Sequence, residues 1–288
     1  AEYRLNGATI NANLGTGILF NLGGVSVLNG TSAASQVSVN AGSLVLGASD
    51  RLSDTSNLFV NAAVMDLQGF NETVGYAAIY GTLNGTGTLS ASGYEMDGAV
   101  VNANLGTGGH LTITGYYGNP TSVLNGTAGA SSVSIQSGGL RLGSSERLAD
   151  TATLSVFSGA TLDLNGFNET VAVAYLNGTL DSTLNNLMPR ADDAQVMPAL
   201  TFSTKGTDGP LTLPAPTGTG TLMAAQYQLN GATINGNLGT GSLFNTGGVS
   251  TLNGTSAASS VSVQAGTLTL GAANRLADTA TVSVSSGA

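Results

Sequence analysis

The sequence predicts an all-β protein whose short strands stack as the coils of a parallel β-helix, or β-solenoid. Three observations lead to that fold class: a long internal repeat, a shorter period of about 21 residues inside it, and 42 glycines in 288 residues. This glycine content is about twice the usual share, and it suits a chain that turns sharply at regular intervals. With 41% hydrophobic and 8% charged residues, the chain is also too apolar and too weakly charged to be disordered.

The long repeat is a unit of roughly 96 residues that occurs about two and a half times. The motif Leu-Asn-Gly-Thr begins at residues 28, 124 and 252, and the motif Arg-Leu-x-Asp-Thr begins at residues 51, 147 and 275. We therefore divide the chain into a first copy, a second copy, a proline-rich excursion that holds five of the six prolines, and an incomplete third copy. Their bounds are 1–91, 92–181, 182–217 and 218–288.

The shorter period defines the coil. Val133-Ser134-Ile135 returns one period later as Leu154-Ser155-Val156. Apolar and polar residues alternate in these segments, as in a strand with one buried face. Strands this short must bury that face against the next coil, so we predict about 12 coils of about 21 residues and a rod about 60 Å long. An antiparallel β-sandwich, the alternative, does not predict so constant a period. The expected inward residues are Val37, Val39, Leu44, Leu46, Leu58, Val60, Leu140, Leu142, Leu154, Val156, Leu162, Leu164, Val261, Val263, Leu268 and Leu270.

The corners of the coils are predicted from a second motif. Leu-Asn-Gly occurs eight times, beginning at residues 5, 28, 83, 124, 164, 176, 229 and 252. Asn-Gly readily adopts the left-handed backbone of a sharp turn. Stacked corners would also align the asparagine amides into a ladder.

One stretch of the second copy resembles a known family. Gly-Ser-Ser-Glu-Arg-Leu-Ala-Asp-Thr-Ala-Thr at 143–153 and Ser-Gly-Ala-Thr-Leu-Asp-Leu-Asn-Gly-Phe-Asn-Glu-Thr-Val at 158–171 closely resemble the autotransporter-associated β-strand repeat. The resemblance covers nearly the whole chain outside 182–217. It implies a secreted Gram-negative passenger region, a right-handed parallel β-helix displayed at the cell surface, often as a repetitive adhesin or biofilm protein. It also implies attachment to the outer membrane only through a C-terminal translocator, which this sequence does not contain.

Composition and charge limit the partners. Seven basic and sixteen acidic residues give a net charge of −9, and Lys205 is the only lysine, so we expect no nucleic acid and no anionic membrane as a partner. The chain has no cysteine, which excludes disulfides and most structural zinc sites. No apolar run is long enough for a membrane-spanning helix.

The titratable residues do not indicate an enzyme, a cofactor or a metal site. Carboxylates recur in the copies, at Asp54, Asp150 and Asp278, at Asp66 and Asp163, and at Glu72 and Glu169, and such recurrence suits a structural role better than a catalytic pair. We expect an ion pair or an Asx-type cap between Arg51 and Asp54, and a solvent-facing Asp163. His110 is the only histidine and has no partner for a triad or a metal cluster.

Two loops raised on the frame are the candidate interaction sites, because binding residues concentrate on such loops. One is a five-residue insertion around residues 115–120, with Tyr116 and Tyr117. The other is the excursion, with Arg190, Asp192, Asp193 and Lys205.

The expected function is adhesion or cell-to-cell self-association at the bacterial surface, with another copy of the chain, a neutral glycan or a host surface as the partner. A structural filament or sheath subunit is the alternative, and a carbohydrate-active β-helix enzyme is a third hypothesis. The seven Asn-x-Thr triplets fit either corner asparagines or glycosylation acceptors.

Overall fold

The computed structural model describes residues 1–116, 118, 120–182 and 220–288. Within these ranges the chain forms 29 strands and no helix. Registers such as that of Val133 with Leu154, and of Leu140 with Leu162, run parallel. The described chain is therefore a parallel β-solenoid, which confirms the predicted fold class.

Each turn of the solenoid has up to three faces, called here the first, second and third in chain order. The first face contains β1 (Glu2–Leu5), β9 (Gly93–Met96), β12 (His110–Ile113), β14 (Ser132–Ile135), β16 (Thr153–Val156), β19 (Val173–Leu176), β22 (Gln226–Asn230), β25 (Ser242–Gly247), β27 (Ser260–Val263) and β29 (Thr281–Val284). The second face contains β2 (Thr9–Ile10), β10 (Val100–Val101), β13 (Thr121–Leu124), β15 (Gly139–Leu142), β17 (Thr161–Asp163), β20 (Thr179–Asp181), β23 (Thr233–Ile234), β26 (Val249–Leu252) and β28 (Thr267–Leu270).

In the first copy, four long strands bend around the corner and belong to both of these faces. They are β3 (Ile18–Leu28), β4 (Gln36–Leu46), β5 (Asn57–Asp66) and β7 (Tyr76–Asn84). The third face has only short strands and single bridges, such as the one between Leu105 and Ala128. Its strands are β6 (Glu72–Thr73), β8 (Thr88–Ser90), β11 (Asn104–Leu105), β18 (Glu169–Thr170), β21 (Thr221–Met223) and β24 (Asn237–Leu238).

The turns differ in length more than the sequence period indicates. Glu2 pairs with Ile18, whereas His110 pairs with Ser132, so the first of these turns is several residues shorter than the second. The solenoid has about 14 turns with a typical step of about 18 residues, so the predicted number of turns was too low and the predicted step too long. The number of residues per turn varies, because the segments at the corners and on the third face differ in length while the strands stay in register. The predicted step of about 21 residues is therefore that of some turns only. At about 4.8 Å per turn the rod is roughly 65 Å long.

The core fills the space between the faces. Alternate residues of each strand point inward, and 14 of the 16 expected core residues are buried. The two exceptions are on β28, where Leu268 is partly exposed and Leu270 is 43% exposed. Among the strands that the structure describes, β28 pairs with β26 alone, so one edge of β28 carries no neighbouring strand there.

The solenoid continues across the excursion. Val173 pairs directly with Gln226, and Leu180 with Ile234, although the whole excursion lies between the partners in sequence. The turn before residues 182–217 and the turn after them are therefore neighbours in the stack. Strand pairing runs from the first copy to the third without interruption.

The Leu-Asn-Gly corners are of two kinds, and only one is the predicted left-handed turn. Four of the eight glycines have a positive φ: Gly7, Gly85, Gly166 and Gly231. The left-handed prediction is wrong for Gly30, Gly126, Gly178 and Gly254, whose φ is not positive. These four are glycines because the chain passes close to the preceding turn: a Cβ at Gly126 would overlap the carbonyl oxygen of Ala103.

Candidate functional site

Asparagine amides form hydrogen-bonded ladders along the corners, as predicted. Asn125 Nδ2 donates to Asn102 Oδ1 at 2.7 Å, and Asn102 Nδ2 donates to Asn84 Oδ1 at 2.7 Å. Equivalent bonds join Asn29 to Asn11 at 2.7 Å and Asn253 to Asn235 at 2.9 Å. Three of these donors, Asn29, Asn125 and Asn253, belong to Asn-Gly-Thr triplets, so the triplets have a structural use in the corners.

Two recurring glutamates lie fully buried between turns. Glu72 is 0% exposed, and its carboxylate accepts the backbone N–H of Arg51 at 2.7 Å and of Leu52 at 3.2 Å. Glu169 repeats the arrangement with Arg147 at 2.7 Å and Leu148 at 3.1 Å. Burial raises the pKa of each carboxyl to about 7, against the opposing effect of the backbone N–H groups.

The expected ion pair between Arg51 and Asp54 is wrong. The Arg51 guanidinium donates instead to the carbonyl oxygens of Ser49 at 2.9 Å and Asn29 at 2.8 Å, and Asp54 is exposed. Arg147 does the same with Ser145 and Asn125. Because a guanidinium has five donors in a planar fork, it can satisfy carbonyls on two turns at once, which a single carboxylate contact would not do.

Asp163 does not face solvent, contrary to the expectation from the sequence. It is 4% exposed, and its Oδ2 lies 2.7 Å from Arg141 Nε on the neighbouring turn. Its Oδ1 accepts the backbone N–H of Asn165 at 2.8 Å. Asp181 follows Asp163 in register, and together with Arg141 they line a cleft of about 480 Å³. The arginine neutralises a carboxylate that strand alternation alone would place in water.

A shallow groove crosses four turns on the third face. Its volume is about 750 Å³, and its floor combines hydroxyl groups with small and apolar residues, with the carboxylate of Glu146 at one end. The lining residues are Thr88, Ser90, Asn104, Leu105, Gly106, Thr107, Thr127, Ala128, Gly129, Glu146, Leu148 and Ala149. A smaller cavity of about 440 Å³ lies at the equivalent place in the third copy. The groove is thus a product of the repeat.

A tyrosine–glutamate cluster lies on the outward side of the first face, where the first copy meets the second. Glu95 on β9 accepts Tyr76 OH at 2.9 Å through Oε2, and Tyr80 OH at 3.1 Å and Thr114 Oγ1 at 3.2 Å through Oε1. The three donors come from the turns on either side. Burial and Glu95 raise the pKa of Tyr76 to about 12 and also raise the pKa of Tyr80. Both phenols therefore remain neutral donors at physiological pH.

The insertion loop of the second copy lies beside this cluster. Tyr116 is 72% exposed, and its backbone N–H donates to Asp97 Oδ2 at 3.2 Å. The other five predicted interaction residues, Tyr117, Arg190, Asp192, Asp193 and Lys205, lie outside the described residues. His110 is exposed on β12, with Nδ1 2.6 Å from Ser132 Oγ.

Sequence reasoning did not find the roles of Glu72, Glu169 or the tyrosine–glutamate cluster. The two glutamates carried a signal, since each follows its arginine by about one turn of the solenoid. The tyrosine–glutamate cluster carried a different signal in the sequence. Its positions depart from the repeat, as the third copy has Gln228 where the second has Glu95.

Comparison of the chain with models of protein families, with curated proteins and with solved structures finds no match. Among the residues that the structure describes, no group of three or more histidine and carboxylate side chains is placed to hold a metal ion. The same residues include no helix long and apolar enough to cross a membrane.

Proposed function

We propose that this chain is a secreted bacterial surface scaffold whose β-solenoid acts in adhesion or in cell-to-cell self-association. The observation that supports the proposal is the chemistry of the outward side of the first face. Successive turns present Ser132 and Ser134, then Thr153 and Ser155, and among the described residues only two ion pairs occur. Such a surface offers rows of hydroxyl and amide groups with little charge to keep like molecules apart.

The repeat turns weak contacts into a useful interaction. A single hydroxyl–hydroxyl contact between two rods contributes little, but contacts repeated on several turns of each rod, multiplied over many rods on a cell, provide avidity. The partner is another copy of the chain or a neutral glycan. Since few ion pairs are available to drive the association, it should weaken only modestly between low and physiological salt.

The resemblance to autotransporter passengers and the absence of cysteine support the extracellular location. Under this proposal the recurring carboxylates are structural and no catalytic step is assigned to them. Glu72 and Glu169 hold backbone N–H groups, and Asp163 pairs with Arg141.

The test is to display the chain on a non-adherent bacterium and to measure aggregation and attachment at two salt concentrations. We expect both to increase over cells without the chain. Ser134→Lys with Ser262→Lys, which charges the first face, should suppress the gain. Thr151→Lys with Thr279→Lys adds the same charge at exposed turn positions and should preserve it. If the intact chain produces neither aggregation nor attachment, the adhesive function is wrong and the structural filament becomes the better explanation.

A further inference from the structure

The repeat supplies an internal comparison for the tyrosine–glutamate cluster. Strand β7 pairs with β9 in the same register as β19 pairs with β22, since Ala77 faces Tyr94 and Ala174 faces Tyr227. The fold position is therefore the same, but the side chains differ. Where the first junction has Tyr76, Tyr80, Glu95 and Asp97, the second has Val173, Asn177, Gln228 and Asn230.

The solenoid does not need the charges or the rings of the first junction, because it forms the same pairing with neutral side chains at the second. Two carboxylates replace the amides of nearly the same shape, and a tyrosine replaces a valine. This change adds two carboxylates and two tyrosines to the first junction. The second junction has a tyrosine of its own, Tyr175 in register with Gln228, but it has no carboxylate at these positions.

Tyr76, Tyr80 and Glu95 are all partly exposed, so a ligand can reach them. The Tyr76 ring lies over Gly93 of the next turn: a Cβ there would meet ring atoms Cδ2 and Cε2 at 3.2 Å. One side of the ring thus packs on the backbone, and the residue is half-buried. Glu95 accepts three hydroxyl groups, whereas a carboxylate has about four acceptor positions. Among the described residues Glu95 has no cationic partner.

The class of ligand follows from what the first junction has and the second lacks. Amides can also bind the hydroxyl groups of a neutral sugar, so a neutral ligand does not by itself account for the added negative charge. A cation is attracted both by the negative face of a tyrosine ring and by a neighbouring carboxylate. Phenols that donate to a carboxylate also keep that carboxylate fixed beside the ring.

We propose that Tyr76, Tyr80 and Glu95 form a binding site for an organic ammonium group, such as a choline or alkylamine head group. The ammonium group lies against the exposed face of Tyr76, next to Glu95 Oε2. This site lies on the same face as the hydroxyl rows of the proposed adhesive surface but on different turns, and its ligand is a cation rather than a neutral glycan.

The experiment is a titration of the whole chain with choline, and in parallel with 3,3-dimethyl-1-butanol, its uncharged carbon isostere. The chain has no tryptophan and eight tyrosines, so tyrosine fluorescence and tyrosine ring NMR signals follow binding, and the signals lost in Tyr76→Val identify those of the site. We expect choline to bind with a dissociation constant of order millimolar, as suits an exposed cation–π contact with one carboxylate. The isostere should bind at least about tenfold more weakly.

The chain itself provides the variants. Glu95→Gln and Tyr76→Val install the residues of the second junction, which are known to fit the fold, and each should weaken choline binding about fivefold or more. Asp278→Asn removes one charge at an exposed position in the third copy, many turns from the site, and should leave binding unchanged. The reverse graft, Val173→Tyr with Asn177→Tyr and Gln228→Glu, should create a second site. Equal binding of choline and its isostere, or unchanged binding by Glu95→Gln, would overturn the proposal while leaving the aggregation assay unaffected.

Discussion

Buried carboxyls at Glu72 and Glu169 show how single residues join one turn to the next. Each receives two backbone N–H groups from the preceding turn, and these donors would otherwise be unsatisfied inside the protein. Neighbouring carboxylates add to the effect of burial, since Asp50 raises the pKa of Glu72 and Glu146 raises that of Glu169.

These two carboxyls should make the protein less stable as the pH rises from about 4.5 to about 7. Their pKa is about 7 in the folded chain and 4.5 as the unperturbed value. The folded state therefore holds the proton more tightly, and the stabilisation is complete below pH 4.5 and lost as the pH passes 7. The loss is about 3 kcal/mol for each carboxyl. Urea denaturation at a series of pH values measures it.

The variants Glu72→Gln and Glu169→Gln should each remove the contribution of one carboxyl to the pH dependence of the unfolding free energy. This holds whatever effect the substitution has on the stability at a single pH. Asp54→Asn, at an exposed carboxylate, should leave the slope between pH 4.5 and 7 as it is in the unmodified chain. A slope that stays the same in both glutamine variants would show that the two glutamates do not titrate in this range.

At the scale of the residue, sequence reasoning succeeded where a side chain follows strand alternation and failed where it bonds to another turn. The inward position of the leucines and valines could be predicted from the two-residue alternation of a strand alone. The contacts of Arg51 and Asp163 with another turn could not be predicted in this way, because Asn29 and Arg141 lie 22 residues away from them in sequence. Proximity in sequence pointed to Asp54 instead.

Among the structural elements, the asparagine ladders link the corners of successive turns. Asn102 is central in its ladder, as it donates to Asn84 and accepts from Asn125. Asn102→Ala should therefore cost about 1–3 kcal/mol, the value of two hydrogen bonds. Asn11→Ala, at a position with one ladder bond, should cost about half as much. Chemical denaturation of both variants checks the ratio, and equal costs would mean that the ladder bonds do not add.

The stability of the protein should be far more sensitive to substitutions in the core strands than to those in the corner asparagines. Leu142 and Leu164 are both fully buried, and the pairing of Leu140 with Leu162 places them on adjacent turns. Leu142→Asp or Leu164→Asp would bury an unpaired charge and should destabilise the chain by about 4 kcal/mol or more.

Leu270→Asp is the matched control in the last strand of the second face, where the side chain is 43% exposed, and it should cost about 1 kcal/mol or less. Melting curves followed by circular dichroism compare the variants. A normal melting transition in Leu142→Asp would contradict the assigned register.

For the whole molecule, the excursion is the largest departure from the repeat. Removing residues 182–217 joins Thr179-Leu180-Asp181 to Gly218-Thr219-Gly220-Thr221-Leu222, which matches Thr82-Leu83-Asn84-Gly85-Thr86-Gly87-Thr88-Leu89 of the first copy. We expect the shortened chain to fold with the same β content and a similar melting temperature. Aggregation of the purified deletion variant, or loss of its circular dichroism signal, would show that the stack needs the excursion.

The architecture could be predicted from the sequence because each turn repeats one simple pattern, and many copies reinforce it. The number of turns could not be predicted in the same way, because the period in the sequence was taken from the longest turns. Other turns are shorter, such as the one from Tyr94 to its register partner Leu111. The tyrosine–glutamate cluster was missed for a related reason: three turns contribute to it, and no single motif contains it.

The direct stacking of neighbouring turns has a consequence for a rod under tension. Each turn is held by the turns above and below it, so a load applied at one end acts on a single interface at a time. The turns should therefore detach in succession rather than all at once. A turn of about 18 residues lengthens to roughly 60 Å when it is pulled straight. An anchored rod would thus absorb a sudden pull by releasing chain in steps, and an optical trap would record a series of small extensions.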